Sequence, residues 1–126
     1  MEADKNKRQL GADKEQLAAE YLTAQGMDIL ERNFRNRQGE IDIIGRHGKY
    51  VVFVEVKFRS GTDKGMAVEA VDIRKQRQIC KVADYYRMIH HLRDNTAVRY
   101  DVLAIQGEDI QWIQNAFPHI NRRFYR

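Results

Sequence analysis

Two apolar segments near the middle of the chain read Gly39-Glu40-Ile41-Asp42-Ile43-Ile44 and Val51-Val52-Phe53-Val54-Glu55-Val56-Lys57. The second segment alternates strictly, which predicts a β-strand whose successive side chains point to opposite faces of a sheet. Glu55 and Lys57 then share one face with Val51 and Phe53. Because the opposite face is apolar as well, the pattern is typical of a central strand that is covered on both sides.

Asp42 belongs to the first segment, and a hairpin through the turn at 46–49 brings it beside Glu55. Two neighbouring carboxylates repel each other, so one of them holds a proton at neutral pH unless a cation compensates the charge. Mg²⁺ prefers hard oxygen ligands, usually one or two carboxylates together with waters and substrate phosphates. Lys57 would then orient an attacking water or neutralise charge on the phosphate. The spacing predicts a metal-dependent phosphodiesterase site, and the alternative is a buried ion pair of Lys57 with Glu55 or Asp42 that has no chemistry.

Gly-Glu-Ile-Asp followed by Val-Phe-Val-Glu-Val-Lys resembles the core of the PD-(D/E)xK nuclease-like superfamily. The similarity is greatest to the small bacterial UPF0102 (YraN-like) proteins, which are related to archaeal Holliday-junction resolvases, and it extends from about Gly11 to Val102. The further motifs that carry it are Glu15-x-Leu-Ala-x-x-Tyr-Leu, Arg32-Asn33-Phe34-Arg35, Lys57-Phe58-Arg59 and Tyr100-Asp101-Val102. The resemblance implies a restriction-endonuclease-like α/β core. It also implies that Asp42, Glu55 and the carbonyl of Val56 bind Mg²⁺ or Mn²⁺, with Glu15 assisting directly or through water.

The composition indicates one soluble domain over residues 1–126, with flexible ends at 1–9 and 119–126. Charged residues make up 32% and hydrophobic residues 43%, which is ordinary for a globular protein. There is no apolar run near the roughly 18 residues of a membrane span, and the N-terminus has no apolar signal region. With a single cysteine as well, we expect a cytoplasmic protein without a membrane partner. A net charge of +4 fits a nucleic-acid partner, although many small soluble proteins are as basic.

Hydrophobic periodicity predicts the order αβββαββ, a mixed five-stranded sheet flanked by helices. The predicted helices are 10–25 and 67–91, and the predicted strands are 27–34, 40–45, 49–58, 97–105 and 110–116. The expected apolar faces are Leu17, Ala18, Tyr21 and Leu22 in the first helix, and Val68, Val71, Ile79, Val82, Tyr86 and Ile89 in the second. In the second strand, Glu40, Asp42 and Ile44 are expected to share the face opposite to Ile41 and Ile43.

Several polar residues outside the acidic segments are candidates for the site or its substrate. Glu15 lies on the margin of the apolar face of the first helix, where it is either a third acid of the site or a first-turn glutamate favoured by the helix dipole. Lys75 falls within the core stripe of the second helix, so it must extend to solvent or meet an anion. The expected nucleic-acid contacts are Arg32, Arg35, Arg37, Arg59, Lys75 and Gln76, whose alternative is a solvated surface. Asp101 is interpreted as structural and paired with an arginine, and the alternative is a role in the active site.

These patterns favour a Mg²⁺- or Mn²⁺-dependent DNA endonuclease, and the resolvase resemblance implies branched DNA as substrate and is compatible with a homodimer. A second hypothesis is a nucleic-acid-binding or recruitment module that kept the fold and lost efficient turnover. A third is a protein-interaction adaptor whose basic faces serve solubility. The polar segment 60–65 and the basic, aromatic end 121–126 are further candidates for nucleic-acid contact, or ordinary mobile segments.

Overall fold

The computed structural model describes residues 2–59 and 71–120 of the chain. Within these ranges the chain forms two helices and five strands in the expected order αβββαββ. Their bounds are α1 Glu2–Ala24, β1 Asp28–Asn36, β2 Gly39–His47, β3 Tyr50–Arg59, α2 Ile73–Ile89, β4 Val98–Gln106 and β5 Asp109–Phe117. Among the helices described, none is both long enough and apolar enough to cross a membrane. The polar segment 60–65, Val68 and the end 121–126 lie outside the described residues.

The strands form one mixed sheet in the order β1-β2-β3-β4-β5. Neighbouring strands are antiparallel except β3 and β4, which run parallel from Val51↔Val98 to Arg59↔Gln106. A parallel pair needs a crossover, and the segment that contains α2 connects the two strands. The central position of β3 confirms the prediction, made from its two apolar faces, of a central strand.

Helices α1 and α2 pack on opposite faces of the sheet, so each face has a core of its own. The α1 side comprises Ala18, Ala19, Leu22, Met27, Ile43, Val52, Val54, Val56, Leu103 and Ile105. The α2 side comprises Phe34, Ile41, Ile44, Val51, Phe53, Val71, Ile79, Cys80, Val82, Ala83, Tyr86, Tyr100, Val102 and Phe117. The alternation of β3 therefore sends Glu55 and Lys57 to the α2 side, as expected.

Some details of the helices differ from the sequence expectation. Helix α1 begins at Glu2 instead of near residue 10. Leu17 and Ile89 were expected in the core, but they are 39% and 40% exposed. Both lie at the edge of an apolar stripe, where the curvature of the helix surface carries a side chain past the sheet.

The alternation of β2 breaks around Asp42, so the expected face of Ile41 is wrong, whereas Ile43 and Ile44 lie on opposite faces as expected. Ile41 and Ile44 both pack in the core on the α2 side, whereas Ile43 packs on the α1 side. A regular strand would put residues three positions apart on opposite faces. The packing face therefore changes between Ile41 and Ile43, at the position of Asp42.

Candidate active site

The site is a fork between β2 and β3, bounded by Asp42 and Val56. The two strands pair from His47↔Tyr50 to Ile43↔Val54, and the pairing ends there. Beyond that point β2 continues beside β1 and β3 continues beside β4. The Val56 amide donates a 2.8 Å hydrogen bond to the Asp42 carboxylate. Because the N–H and C=O of one strand residue point to the same side, the Val56 carbonyl also faces the fork.

Asp42 is a half-buried carboxyl group with acidic neighbours. Burial and the charge of Glu55, in that order, raise its pKa to about 7, and the hydrogen bond from Val56 opposes the rise. Glu40 and Glu15 raise the pKa further. Without a compensating cation, Asp42 is therefore shared between its protonated and ionised forms at neutral pH.

Glu55 is almost buried, with 7% of its surface exposed, and two lysines face it. Its Oε1 lies 3.6 Å from Lys57 Nζ and 4.0 Å from Lys75 Nζ. Burial raises the pKa of Glu55, while Lys75 and then Lys57 act against the rise. The lysine side chains are 31% and 34% exposed, so solvent reaches both of them although the carboxylate itself is buried.

Glu15 approaches the fork from the α1 side of the sheet. It lines a narrow cleft with Arg32, Asn33, Asp42, Ile43 and Val56. Glu55 and Lys75 lie on the α2 side, so the candidate groups converge on the fork from both faces. Asp42 acts as the link, because both Glu55 and Glu15 influence its pKa.

Two further polar residues lie near the fork: Glu40, for which the sequence allows either a supporting acid or a pair with a nearby arginine, and Asn33, which was not among the candidate site residues. Glu40 raises the pKa values of both Asp42 and Glu55. Asn33 lines the cleft beside Asp42 with a φ of 55°. Asparagine tolerates this left-handed conformation better than most residues, which is the signal that was available in the sequence.

The arginines expected to contact nucleic acid are only partly brought to the fork. Arg32 lines the cleft, and its Nη1 donates a 2.9 Å hydrogen bond to Gln16 Oε1. Arg35 lies on the surface, with its Nη2 3.5 Å from Glu40 Oε1. Arg37 is exposed in the turn after β1, and Arg59 is half-buried at the end of β3. Of these four arginines, Arg32 is the one that lines the cleft.

Gln76 was expected to assist Lys75, but its side chain is used elsewhere. Its Nε2 donates a 3.0 Å hydrogen bond to the carbonyl of Val71, just before α2. This bond stabilises the approach to the helix. The lysine beside it, in contrast, reaches Glu55.

The donor set of the fork fits a hard divalent cation in chemical type. Asp42, Glu55 and the Val56 carbonyl offer the oxygen ligands that such a cation prefers. Burial and the Glu55 charge raise the pKa of Asp42, and a bound cation would stabilise its ionised form. In the described part of the chain, no three Asp, Glu, His or Cys side chains are grouped closely enough to hold an ion. The fit is therefore to an ion that keeps waters and takes substrate oxygens, which is the usual habit of Mg²⁺.

Asp101 stands apart from the fork in a fully satisfied buried network. The Arg99 guanidinium binds its carboxylate with Nε–Oδ1 and Nη2–Oδ2 distances of 3.0 Å each. Trp112 Nε1 and the backbone N–H of Asn115 donate to it at 2.9 Å each. Arg99 is therefore the arginine partner that was expected for a structural Asp101.

Comparison with known proteins adds a family and named relatives. Residues 14–105 match the model described as "Uncharacterised protein family UPF0102". A UPF0102 protein of Lachnoclostridium phytofermentans is 48% identical over 112 residues, covering 89% of this chain and 95% of that protein. One from Shewanella oneidensis is 44% identical over 108 residues, covering 86% of this chain and 98% of the relative. The matched region contains the whole fork.

Proposed function

This chain belongs to the UPF0102 family, and from the geometry of its fork we propose that it is a divalent-metal-dependent endonuclease that hydrolyses phosphodiester bonds in DNA. The family description names no activity, so the proposal rests on the residues of the fork. The resemblance to Holliday-junction resolvases supports branched DNA as the first substrate to test. The same resemblance supports a homodimer, because two strands of a junction must be cut symmetrically.

The observation that carries the proposal is the convergence of two carboxylates and a lysine where two strands separate. Asp42 lies close enough to Glu55 for burial and the Glu55 charge together to raise the pKa of Asp42 to about 7. Lys57 Nζ lies 3.6 Å from Glu55. Carboxylates in a buried place cost stability, and groups with pKa values perturbed in this way are common at sites that bind a cation or carry out a reaction.

Asp42, Glu55 and the Val56 carbonyl are the groups that would hold Mg²⁺ or Mn²⁺, and Glu15 would hold one of its waters. The bound ion supplies Lewis-acid activation of the phosphate and of the attacking water. Lys57 Nζ, which lies 3.6 Å from Glu55 Oε1 on a partly exposed side chain, would donate to the attacking water or to a non-bridging phosphate oxygen. Such a donor stabilises the charge that develops in the transition state.

A binding module with little turnover remains the second candidate, and one observation favours it. Lys57 and Lys75 already neutralise Glu55 in the absence of metal, at 3.6 Å and 4.0 Å. A site compensated in this way can persist as a structural ion pair. In that case the protein binds DNA through its basic surfaces, and no divalent ion is required.

The test is to incubate the purified protein with linear duplex, single-stranded, flapped and four-way DNA in Mg²⁺, Mn²⁺ or EDTA. Wild type, Glu55→Ala and Glu108→Ala are compared, because Glu108 is an exposed acid in the turn between β4 and β5. We expect metal-dependent cleavage by wild type and Glu108→Ala only. Cleavage by Glu55→Ala at the wild-type rate, or no cleavage of any substrate, would contradict the proposal.

A further inference from the structure

A basic groove of about 400 Å³ runs along α2, beside the fork. Its lining residues are Gln38, Arg74, Lys75, Arg77, Gln78 and Lys81. Four of them are cationic, two are amides, and none of these described lining residues is acidic. Arg74 and Arg77 are exposed, while Lys75 and Lys81 are half-buried. The groove is therefore open to solvent and positively charged.

Four of the lining residues lie in a row along α2. Arg74, Arg77, Gln78 and Lys81 stand at positions i, i+3, i+4 and i+7, which form one stripe of an α-helix. At about 1.5 Å per residue, this stripe is roughly 10 Å long. One nucleic-acid strand rises about 3.4 Å per nucleotide along a duplex axis, so a stripe of this length along that axis spans about three nucleotides.

The opposite wall of the groove is the turn between β1 and β2, and it is tied to α2. Gln78 Nε2 donates a 2.7 Å hydrogen bond to the Gln38 carbonyl. Gly39 has a φ of 154°, and a Cβ built there would meet the Gln78 side chain at 2.8 Å. Glycine thus allows the turn to approach the helix closely. The two walls of the groove are held together by specific contacts.

The groove is continuous with the fork through Lys75. This lysine lines the groove, and its Nζ lies 4.0 Å from Glu55 Oε1. A phosphate bound at the fork would therefore have the next cations of the groove on one side of it. A backbone with regularly spaced charges fits this row better than a small phosphate ester does, because a small ester would reach only one end.

We infer that the basic groove binds the phosphate backbone of the DNA strand on one side of the scissile phosphate, over about three nucleotides. The inference rests on the proposed function, which puts the scissile phosphate at the fork. The inference implies that the substrate is a polymer with nucleotides on this side of the scissile phosphate, here called the flank. Arg77 and Lys81 contact that flank, and Lys75 lies at its junction with the reacting centre.

The test compares two charge-matched double variants. Arg77→Ala/Lys81→Ala removes two cations from the groove, and Lys49→Ala/Arg93→Ala removes two exposed cations from the β2–β3 turn and from the segment after α2. Binding of a fluorescein-labelled DNA fork is measured by anisotropy in EDTA over a range of salt. The charge-preserving pair Arg77→Lys/Lys81→Arg is included. Should the alanine pair fail to fold, Arg77→Glu at the exposed position replaces it.

For the groove pair we expect a loss of affinity of roughly 10- to 100-fold at about 0.1 M salt, with the log–log salt slope reduced by about 2. The control pair and the charge-preserving pair should stay close to wild type. An equal loss in groove and control pairs would overturn the inference, because net charge alone would then explain binding. Wild-type affinity and slope in the groove pair, or no DNA binding by wild type, would overturn it too.

Cleavage in Mg²⁺ separates this inference from the proposed activity. If wild type cleaves and the groove pair binds and cleaves equally well, the groove inference fails and the nuclease proposal stands. If wild type does not cleave but the groove pair loses binding, the nuclease proposal fails and the groove stands as a DNA-binding surface. If wild type cleaves and the groove pair loses binding, both proposals stand. Removing about three nucleotides of the DNA on one side of the cut site should then slow cleavage, and removing them on the other side should not.

Discussion

Lys75 on α2 and Glu55 on β3 meet with a distance of 4.0 Å between Nζ and Oε1. Lys57 approaches the same oxygen at 3.6 Å, so two cations act on Glu55. The charges that act on Asp42 are those of Glu55, Glu40 and Glu15, all of them acidic. The two carboxyl groups of the fork therefore differ in the charge of their surroundings. Both pKa values are raised, but two cations oppose the rise for Glu55, whereas Asp42 has a pKa of about 7 and is partly protonated near neutral pH.

Replacing Glu55 by glutamine should separate catalysis from binding. We expect Glu55→Gln to lower metal-dependent DNA cleavage by at least about 100-fold, since one ligand charge of the proposed ion is lost. Affinity for DNA in EDTA should stay the same or rise, because removing this charge frees Lys57 and Lys75 to meet phosphate. Cleavage rates and anisotropy on the same DNA fork measure both effects. Glu108→Gln is the matched control, and unchanged cleavage by Glu55→Gln would contradict the expectation.

Lys57 should affect the chemical step more than binding. We expect Lys57→Gln to reduce the single-turnover cleavage rate by roughly 10²- to 10³-fold, which is typical of losing one donor to a developing charge. DNA affinity should change far less, because many phosphate contacts contribute to it. Lys49→Gln, at an exposed position of the β2–β3 turn, is the control of equal charge change. A loss of affinity as large as the loss of rate would mean that Lys57 only holds the substrate.

Asp42 should make the stability of the metal-free protein fall as pH rises. An unfolded aspartate has a pKa of about 3.9, whereas burial and Glu55 raise the pKa of folded Asp42 to about 7. Between these values the folded protein binds more protons than the unfolded chain, so stability declines from about pH 4 to pH 7 and the decline ends above pH 7. Asp42→Asn keeps an acceptor for the Val56 amide and removes this dependence.

The measurement is the thermal midpoint of wild type and Asp42→Asn in EDTA across this pH range. We expect the variant to be the more stable protein at about pH 8 and the difference to shrink towards about pH 4. Mg²⁺ should raise the midpoint of wild type more at about pH 8 than at about pH 5, because the ion competes with the proton. A constant difference between the two proteins at all pH values would show that Asp42 does not titrate in this range.

Much of the fold could be predicted because β3 and α2 have unambiguous patterns. The strict alternation of β3 gives its central position and puts Glu55 and Lys57 on one face. Lys75 interrupts the apolar stripe of α2, and a lysine within such a stripe that packs on the sheet must meet an anion or solvent. Its contact with Glu55 follows from that local argument.

The irregular features of the site could not be predicted, because tertiary contacts produce them. The fork arises where the Asp42 carboxylate takes the Val56 amide, and no periodic pattern signals that substitution of a side chain for a backbone partner. Similarly, an arginine partner for Asp101 could be predicted from its burial, but Arg99 lies on the same strand and face, so cross-strand pairing rules do not identify it.

The buried network around Asp101 should be the most sensitive polar feature of the fold. Asp101→Ala leaves the Arg99 guanidinium, the Trp112 indole and the Asn115 amide without the carboxylate, and we expect a loss of about 3–5 kcal/mol in the free energy of unfolding. Urea denaturation measures it.

The surface pair of Arg35 and Glu40 provides the contrast, because its side chains are 70% and 37% exposed. Arg35→Ala should cost no more than about 1 kcal/mol. Replacing both Arg99 and Asp101 by leucine removes the unpaired charge that Asp101→Ala leaves behind, but Trp112 and Asn115 still lose their acceptor. We therefore expect the double variant to recover only part of the lost stability. Full recovery would show that the Arg99 charge alone accounts for the cost, and a loss in Asp101→Ala as small as that in Arg35→Ala would show that the network contributes little to stability.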